Sequence, residues 1–393
     1  MRPLENIRIL DLSRYLPGPF STQILADFGA EVIKLEEPVK GELGRGLEPL
    51  VGGTSSRYYT VNRNKGSITL NLKEVQGKDL FRRLIPEFDV LFDQFRPGFM
   101  EEIGLGYEEL KKINPRLIYC ALSGYGQTGP YKKVAGHDLN YLSLAGVTGL
   151  NGNAEDNRPS LSGVQMADIA GGGLYATIGL LLAVIAREKT GEGQLVDVSM
   201  LDGSISLLQY TLGEWSGWGA LPQRGEGVLA GGYACYNIYR TKDEKAVSLG
   251  AVEGKFWAGF CTKLGLEQYI EKQYDRAAQK SIIEEVAEII LTKNRDEWVD
   301  FFADSDICFT PVLDMQEMTE HPQVKAREMI QVYNNQSTAG QNIYIAGTPL
   351  KLSATPGKAE LKFAEVGSEN MRIFESIGLS PTEIEELEKK GII

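Results

Sequence analysis

The chain opens on a strand–helix–strand unit, and that unit constrains the fold more than any other feature. Residues Ile7 to Ser13 (IRILDLS) read as a buried strand. Pro17-Gly18-Pro19 starts a helix over Gly18 to Phe28, which Gly29 stops, and Glu31 to Leu35 (EVIKL) reads as a second strand. Two strands joined through a helix run parallel, with a right-handed crossover. The alternation continues. Strands are expected at Ser67 to Leu72, Phe88 to Phe92, Leu117 to Leu122 and Gln194 to Met200. Helices are expected at Val75 to Ile85, with Leu80, Phe81 and Leu84 on one face, and at Gly171 to Arg187, an apolar stretch expected to be buried. Such alternation implies an α/β fold: a large Rossmann-like, doubly wound domain.

At 393 residues the chain exceeds one typical core, so a second domain is expected. The large domain is expected over 1–215. The glycine-rich, aperiodic stretch 216–232 reads as a linker, and 233–318 as a smaller α+β domain. That domain has strand candidates CYNIYRT and AVSLGAV and helices near Phe256 to Leu264, Ser281 to Thr292 and Asp296 to Ala303. Polar, irregular sequence over 319–342 reads as a second linker. Residues 343–393 are expected to return to the large domain, ending in an amphipathic helix over Ser380 to Lys390.

Composition excludes several classes. Acidic residues outnumber basic ones by 53 to 41, a net charge of −12, which argues against a nucleic-acid partner. An anionic small ligand stays compatible, because a few local Arg and Lys suffice to bind it. No run of eighteen apolar residues is apparent, so no membrane span is expected, and no signal peptide is read at the start. Cys120, Cys235, Cys261 and Cys308 are scattered, with no CxxC pair. Neither a metal site nor a disulfide frame is expected, and reduced thiols suit a cytoplasmic protein.

Four features carry chemistry. His137, one of two histidines, lies in Gly136-His137-Asp138-Leu139-Asn140-Tyr141. Imidazole both takes and gives a proton near neutral pH, although a lone His beside Asp and Asn is usually a satisfied loop residue. Asp168 precedes Gly171-Gly172-Gly173 and supplies a carboxylate acid/base, or simply a helix cap. The glycines would let a backbone or a ligand approach closely. Gly124-Tyr125-Gly126-Gln127-Thr128-Gly129 satisfies GxGxxG, but Pro130 to Gly136 is short and polar where a dinucleotide loop should open an apolar helix. It reads as a tight loop delivering His137 to a crevice at the strand ends. Finally, Arg63, Lys65, Lys73 and Arg96 flank strand ends, as phosphate-binding groups or as solvated surface charges.

The runs LEEP (35–38), NRNKGSITLNLK (62–73), FRPG (95–98), GYGQTGP (124–130), REKTGEGQLVDVSMLDG (187–203) and TPVLDM (310–315) resemble the class III CoA-transferase superfamily, the CaiB/BaiF group, over essentially the whole chain. The resemblance implies interlocked homodimers, with CoA thioesters bound to the large domain. Two chemistries exist in that family. Transferases use the residue at Asp168 as a nucleophile to move CoA between carboxylic acids. α-Methylacyl-CoA racemases share it but also carry a GHD[IL]NY box, matched at 136–141, and a glutamate in a GA[IV]E run, matched at Gly250 to Glu253. The resemblance therefore implies His137 and Asp168 as a proton-transferring pair, Glu253 as the residue tuning His137, and Asn71, Leu72, Lys73, Arg96, Gly136, Asp138, Asn140 and Tyr141 as CoA contacts. It implies an acyl-CoA thioester as partner and substrate, with CoA part of that substrate, and no prosthetic group or metal. Enolate-stabilising N–H groups are expected near 136–141 or at the Gly171 helix start. The rivals are a transferase with His137 as bystander and a non-catalytic acyl-CoA-binding protein.

Overall fold

A computed structural model describes residues 2–155, 157–334, 338 and 340–393. The chain divides into two compact units: Met1–Ala145, Val164–Leu207 and Pro322–Ile393 form one, and Gly146–Gly163 with Leu208–His321 form the other.

The first unit is built on β1 (Arg8–Asp11), α1 (Pro17–Asp27), β2 (Glu31–Glu36), β3 (Lys65–Thr69), α2 (Val75–Leu84), β4 (Val90–Asp93), β5 (Ile118–Ser123), α3 (Asp138–Leu144), α4 (Tyr175–Thr190), β6 (Leu195–Ser199) and α5 (Met200–Ser206). Its six-stranded sheet has the order β3-β2-β1-β4-β5-β6, and every neighbour is parallel. The order reverses between β1 and β4, and in such a sheet the crevice at the carboxyl ends of these strands is where ligands bind. Parallel strands are covered on both faces, so they read as apolar runs rather than as alternation. Accordingly Leu10 sits between Ile33 and Leu91 in register, and all three are buried in one core with Ile68, Phe81 and Leu84. The α2 stripe foreseen in sequence faces that core: Leu80, Phe81 and Leu84 are buried, each burial contributing about 1.5–3 kcal/mol.

The second unit carries α6 (Gln209–Trp218), β7 (Tyr236–Arg240), β8 (Ala246–Gly250), α7 (Gly254–Leu264), α8 (Gln279–Ile290), α9 (Arg295–Phe302) and β9 (Phe309–Val312). Its antiparallel sheet, β9-β8-β7, packs with helices around Trp257, Phe260, Val286, Trp298 and Phe302. The chain then re-enters the first unit, adding the hairpin β10 (Ile330–Tyr333) and β11 (Ile343–Ala346), then α10 (Asn370–Ser376) and α11 (Pro381–Lys389). Phe374, Ile384 and Leu387 join the core of the large sheet.

Two expectations change. The stretch 216–232 does not join two units. The boundary falls at Leu207, ahead of α6, and 216–232 lies wholly within the second unit. The helix α6 went unread because it has no amphipathic stripe: none of its residues is buried. The second boundary falls at His321, within the expected linker 319–342, of which Asn335, Gln336, Ser337 and Ala339 lie outside the described residues. The helix over Ala167–Thr190 is long and apolar enough, by length and composition alone, to cross a membrane, a test that core helices also meet, and 39% of its most apolar window is buried. Its inner face covers the sheet through Gly179 beside Val196 and through Arg187, paired with Asp89 at 2.9 Å. Leu174, Tyr175, Ile178, Leu181, Leu182 and Ile185 are exposed, so the expectation of full burial is also corrected.

Candidate active site

The site is assembled where β4 and β5 end and the Ala167 segment begins. Strand β5 leads into Gly124-Tyr125-Gly126, whose geometry explains the glycines without a nucleotide. A Cβ on Gly124 would lie 2.4 Å from the Tyr141 ring. Tyr141 is buried, meets Tyr125 edge-on at 5.1 Å, and its hydroxyl donates to the Gly136 carbonyl at 2.5 Å. The loop is therefore moulded on Tyr141, and Gln127 N–H anchors it to Asp197 at 3.1 Å. Tyr141 and Gly136, which the resemblance implied as CoA contacts, are occupied with each other.

His137 follows this loop and stands at the N-cap position of α3, with extended backbone and an exposed side chain. Its N–H donates to Asn140 Oδ1 at 3.0 Å, and its carbonyl accepts from Asn140 N–H at 2.8 Å. Asn140 thus fixes the backbone that presents the imidazole.

Asp168 lies in the first turn of a wider-wound π segment, Ala167–Leu174, that runs on into α4. Such segments are rare and often occur at functional positions. The glycines 171–173 are packing residues. A Cβ on Gly203 would lie 1.9 Å from the Gly171 carbonyl oxygen, so only two glycines let α5 and this segment cross so closely. The helix starts at Ala167, so the expected N–H donors at a Gly171 start sit inside the helix instead. Asp168 N–H donates to Asp138 Oδ1 at 3.0 Å, which ties the residue after His137 to Asp168 across 30 positions. Burial, and then the negative charge of Asp138, push the Asp168 carboxyl up to about 7. A helix start favours the carboxylate; here desolvation prevails.

The other expected residues separate into groups. Asn71 N–H donates to the Ile392 carbonyl at 2.8 Å, and Asn71 Oδ1 accepts from Lys73 N–H at 3.1 Å. Leu72 packs on the sheet core, and the Lys73 side chain is 85% exposed, 3.5 Å from Glu37. Arg96 is exposed beyond β4, and its charge acts on Tyr141. Glu253 is exposed in the second unit, directly before α7. It follows Gly250, which lines a cavity of about 1130 Å³ with Tyr233, Tyr236, Ile238, Arg276 and Cys308.

Arg63 and Lys65 are neither phosphate ligands nor solvated charges. Arg63 forms a buried bidentate pair with Asp27, at 3.0 and 2.6 Å. Lys65 Nζ is buried against Asp11 (3.2 Å), the Pro19 carbonyl (2.9 Å) and Asn62 (3.0 Å). Two residues were missed. Arg14, just beyond β1, places its guanidinium 4.7 Å from the Phe95 ring centre, at the strand-order reversal. Asp93 closes β4, accepts from Phe95 N–H (2.7 Å) and the Tyr119 hydroxyl (2.9 Å), and is pushed up to about 7 by burial. Their positions directly after β1 and at the end of β4 were the available signal.

Known proteins share this architecture. A model of "CoA-transferase family III" matches residues 4–370. The chain belongs to CoA-transferase family III. Within the family it is 35% identical to the α-methylacyl-CoA racemase of Mus musculus over 99% of this chain and 97% of that one. It is 34% identical to the acetyl-CoA:oxalate CoA-transferase of Acetobacter aceti, over 89% of each. A solved CaiB/BaiF family protein from Brucella suis superposes with a TM-score of 0.83 at 29% identity, over 96% of this chain and 99% of that one. Relatives of both chemistries therefore match at similar identity.

Proposed function

We propose that this protein is an acyl-CoA racemase that inverts C2 of 2-methyl-branched acyl-CoA thioesters by proton transfer between His137 and Asp168. The observation that carries the reading is the bond from Asp168 N–H to Asp138, the residue directly after an exposed histidine, with burial raising the Asp168 carboxyl towards neutrality. A racemase works in both directions, so each group must serve as acid and as base. A carboxyl titrating at about 7 populates both forms at neutral pH, and efficient proton transfer wants a pKa near the working pH. The thioester carbonyl acidifies the C2 proton. One group removes it, an enolate forms, and the other group returns a proton to the opposite face. For a nucleophile, by contrast, the protonated fraction of Asp168 would be idle.

Arg96 and Lys73, with Asn71 and Leu72, are proposed to hold the anionic nucleotide of CoA, and Arg14 adds a cation at the strand-order reversal. Guanidinium groups suit phosphate oxygens because they donate bidentately. Glu253 is proposed to tune His137. A homodimer is also proposed. The exposed apolar face of α4 exceeds the scattered exposure normal for a monomer, and in the second unit α6 separately exposes Tyr210, Trp215 and Trp218. The chain also leaves its first unit at Leu207 and re-enters at Pro322, a closed path that interlocking requires. An interlocked dimer yields no monomer on dilution; sedimentation showing concentration-dependent dissociation would contradict it.

The direct test incubates the protein with a single epimer of a 2-methylacyl-CoA in D₂O, without an acceptor acid. Deuterium at C2 with loss of stereochemical purity is expected. Absence of exchange, together with hydroxylamine-sensitive acylation of Asp168 and CoA transfer to a carboxylic acid, would assign the transferase chemistry instead.

A further inference from the structure

Asp168 makes no side-chain hydrogen bond among the described residues, although it is half-buried. Its placement comes from its backbone. The N–H of Asp168 donates to Asp138 Oδ1 at 3.0 Å, joining the first residue of α3 to the first turn of the π segment. Against the glycines of that segment lie uncharged groups: Pro17 and Phe20 of α1 meet Gly173, and Met200 and Ser204 of α5 meet Gly171. The titratable groups that face Asp168 are Asp138 and Tyr141, both on α3; Tyr125 and Arg96 act on Tyr141.

We propose that Asp138 is a positioning residue for Asp168 rather than a contact to CoA. The proposal rests on the racemase reading for its catalytic consequence, though not for its structural one. Through Oδ1, Asp138 fixes the start of the π segment and so the direction of the Asp168 side chain. Because His137 directly precedes Asp138, the same residue sets the spacing of the two proton-transferring groups. A shift of one ångström in such a pair costs roughly 10²-fold in rate. The charge of Asp138 has a second effect. A neighbouring carboxylate disfavours ionisation of Asp168, so Asp138 also holds the proton there at neutral pH.

Asp138→Asn separates the two effects, because it keeps an oxygen acceptor and removes the charge. Asp138→Ala removes both. The readouts are the ¹³C titration of the Asp168 carboxyl, assigned by its loss in Asp168→Asn, and kcat and KM for C2 exchange. In Asp138→Asn, the Asp168 titration and the pH profile of kcat are expected to move down together, by about one pH unit. In Asp138→Ala, kcat is expected to fall roughly 10²-fold with KM within about twofold. An Asp138→Ala protein that titrates and turns over like wild type would overturn the proposal. So would weakened binding of free CoA by Asp138→Asn, which would return Asp138 to the ligand. If wild type exchanges no C2 proton, the racemase reading fails, and the carboxyl titration still decides the role of Asp138.

Discussion

Two carboxylates of the same unit, the buried Asp11 and the half-buried Asp168, respond in opposite ways to loss of water. Asp11 closes β1 with none of its surface exposed. Burial alone would raise it, yet Lys65 and Lys34 and the hydroxyls of Ser13 and Thr22 bring it down to about 2. Around it Lys34 pairs with Glu42, and Arg45 grips Glu36 through two contacts of 2.7 Å. Every charge in that cluster has its opposite. Among the described residues no cation acts on Asp168, only another carboxylate, and it rises to about 7. Desolvation is shared, so the partner decides the outcome. A buried acid among cations is a structural member that stays ionised. A buried acid beside an acid is poised to exchange a proton.

Removing a partner from the paired cluster is the largest available perturbation. Lys65→Met leaves the Asp11 charge buried without its nearest cation, and the expected loss is about 3–5 kcal/mol in urea unfolding at pH 7. A loss within about 0.5 kcal/mol would mean that the two regions do not differ as described. The converse change in the unpaired region is smaller and has the opposite sign. The folded state holds the Asp168 proton up to about pH 7, whereas the unfolded chain releases it near 3.8. The stability this proton supplies is full below about pH 4 and is lost as pH rises through 7. Asp168→Asn never ionises, so it should exceed wild type in stability at pH 8 by on the order of 1–2 kcal/mol, partial exposure screening the rest, and match it near pH 4. Thermal melts at the two pH values check this; equal stability at both would remove the cost assigned to the ionised carboxyl. For Asp11 the sign reverses: its contribution is present above about pH 4 and fades as pH falls towards 2.

The same contrast explains what was legible in the sequence. The six strands of the large sheet and helices α1 and α2 are local patterns, and Pro17-Gly18-Pro19, the α2 stripe and the apolar runs marked them within three residues, whereas α3 and α5 went unread. His137 and Asp168 were marked by short motifs. Arg63 and Lys65 were misread because their partners, Asp27 and Asp11, lie 36 and 54 positions away, and nothing local distinguishes a buried cation from a surface one. The bond from Asp168 to Asp138 was hidden for the same reason. The π winding at Ala167 left no signal, since Gly171 looked like a helix start and is a crossing point with Gly203. Helix α6 escaped because periodicity reports burial, and α6 buries nothing in its own unit.

The central claim is that His137 and Asp168 move a proton at C2, and the C2 exchange assay on His137→Ala tests it most directly. His137 is exposed and its backbone is held by Asn140, so its truncation should leave the fold and the affinity for free CoA unchanged. A positioned acid/base typically contributes ~10²–10⁴-fold, so deuterium incorporation and epimerisation should fall by that factor. Exchange by His137→Ala at the wild-type rate, with CoA affinity intact, would contradict the account.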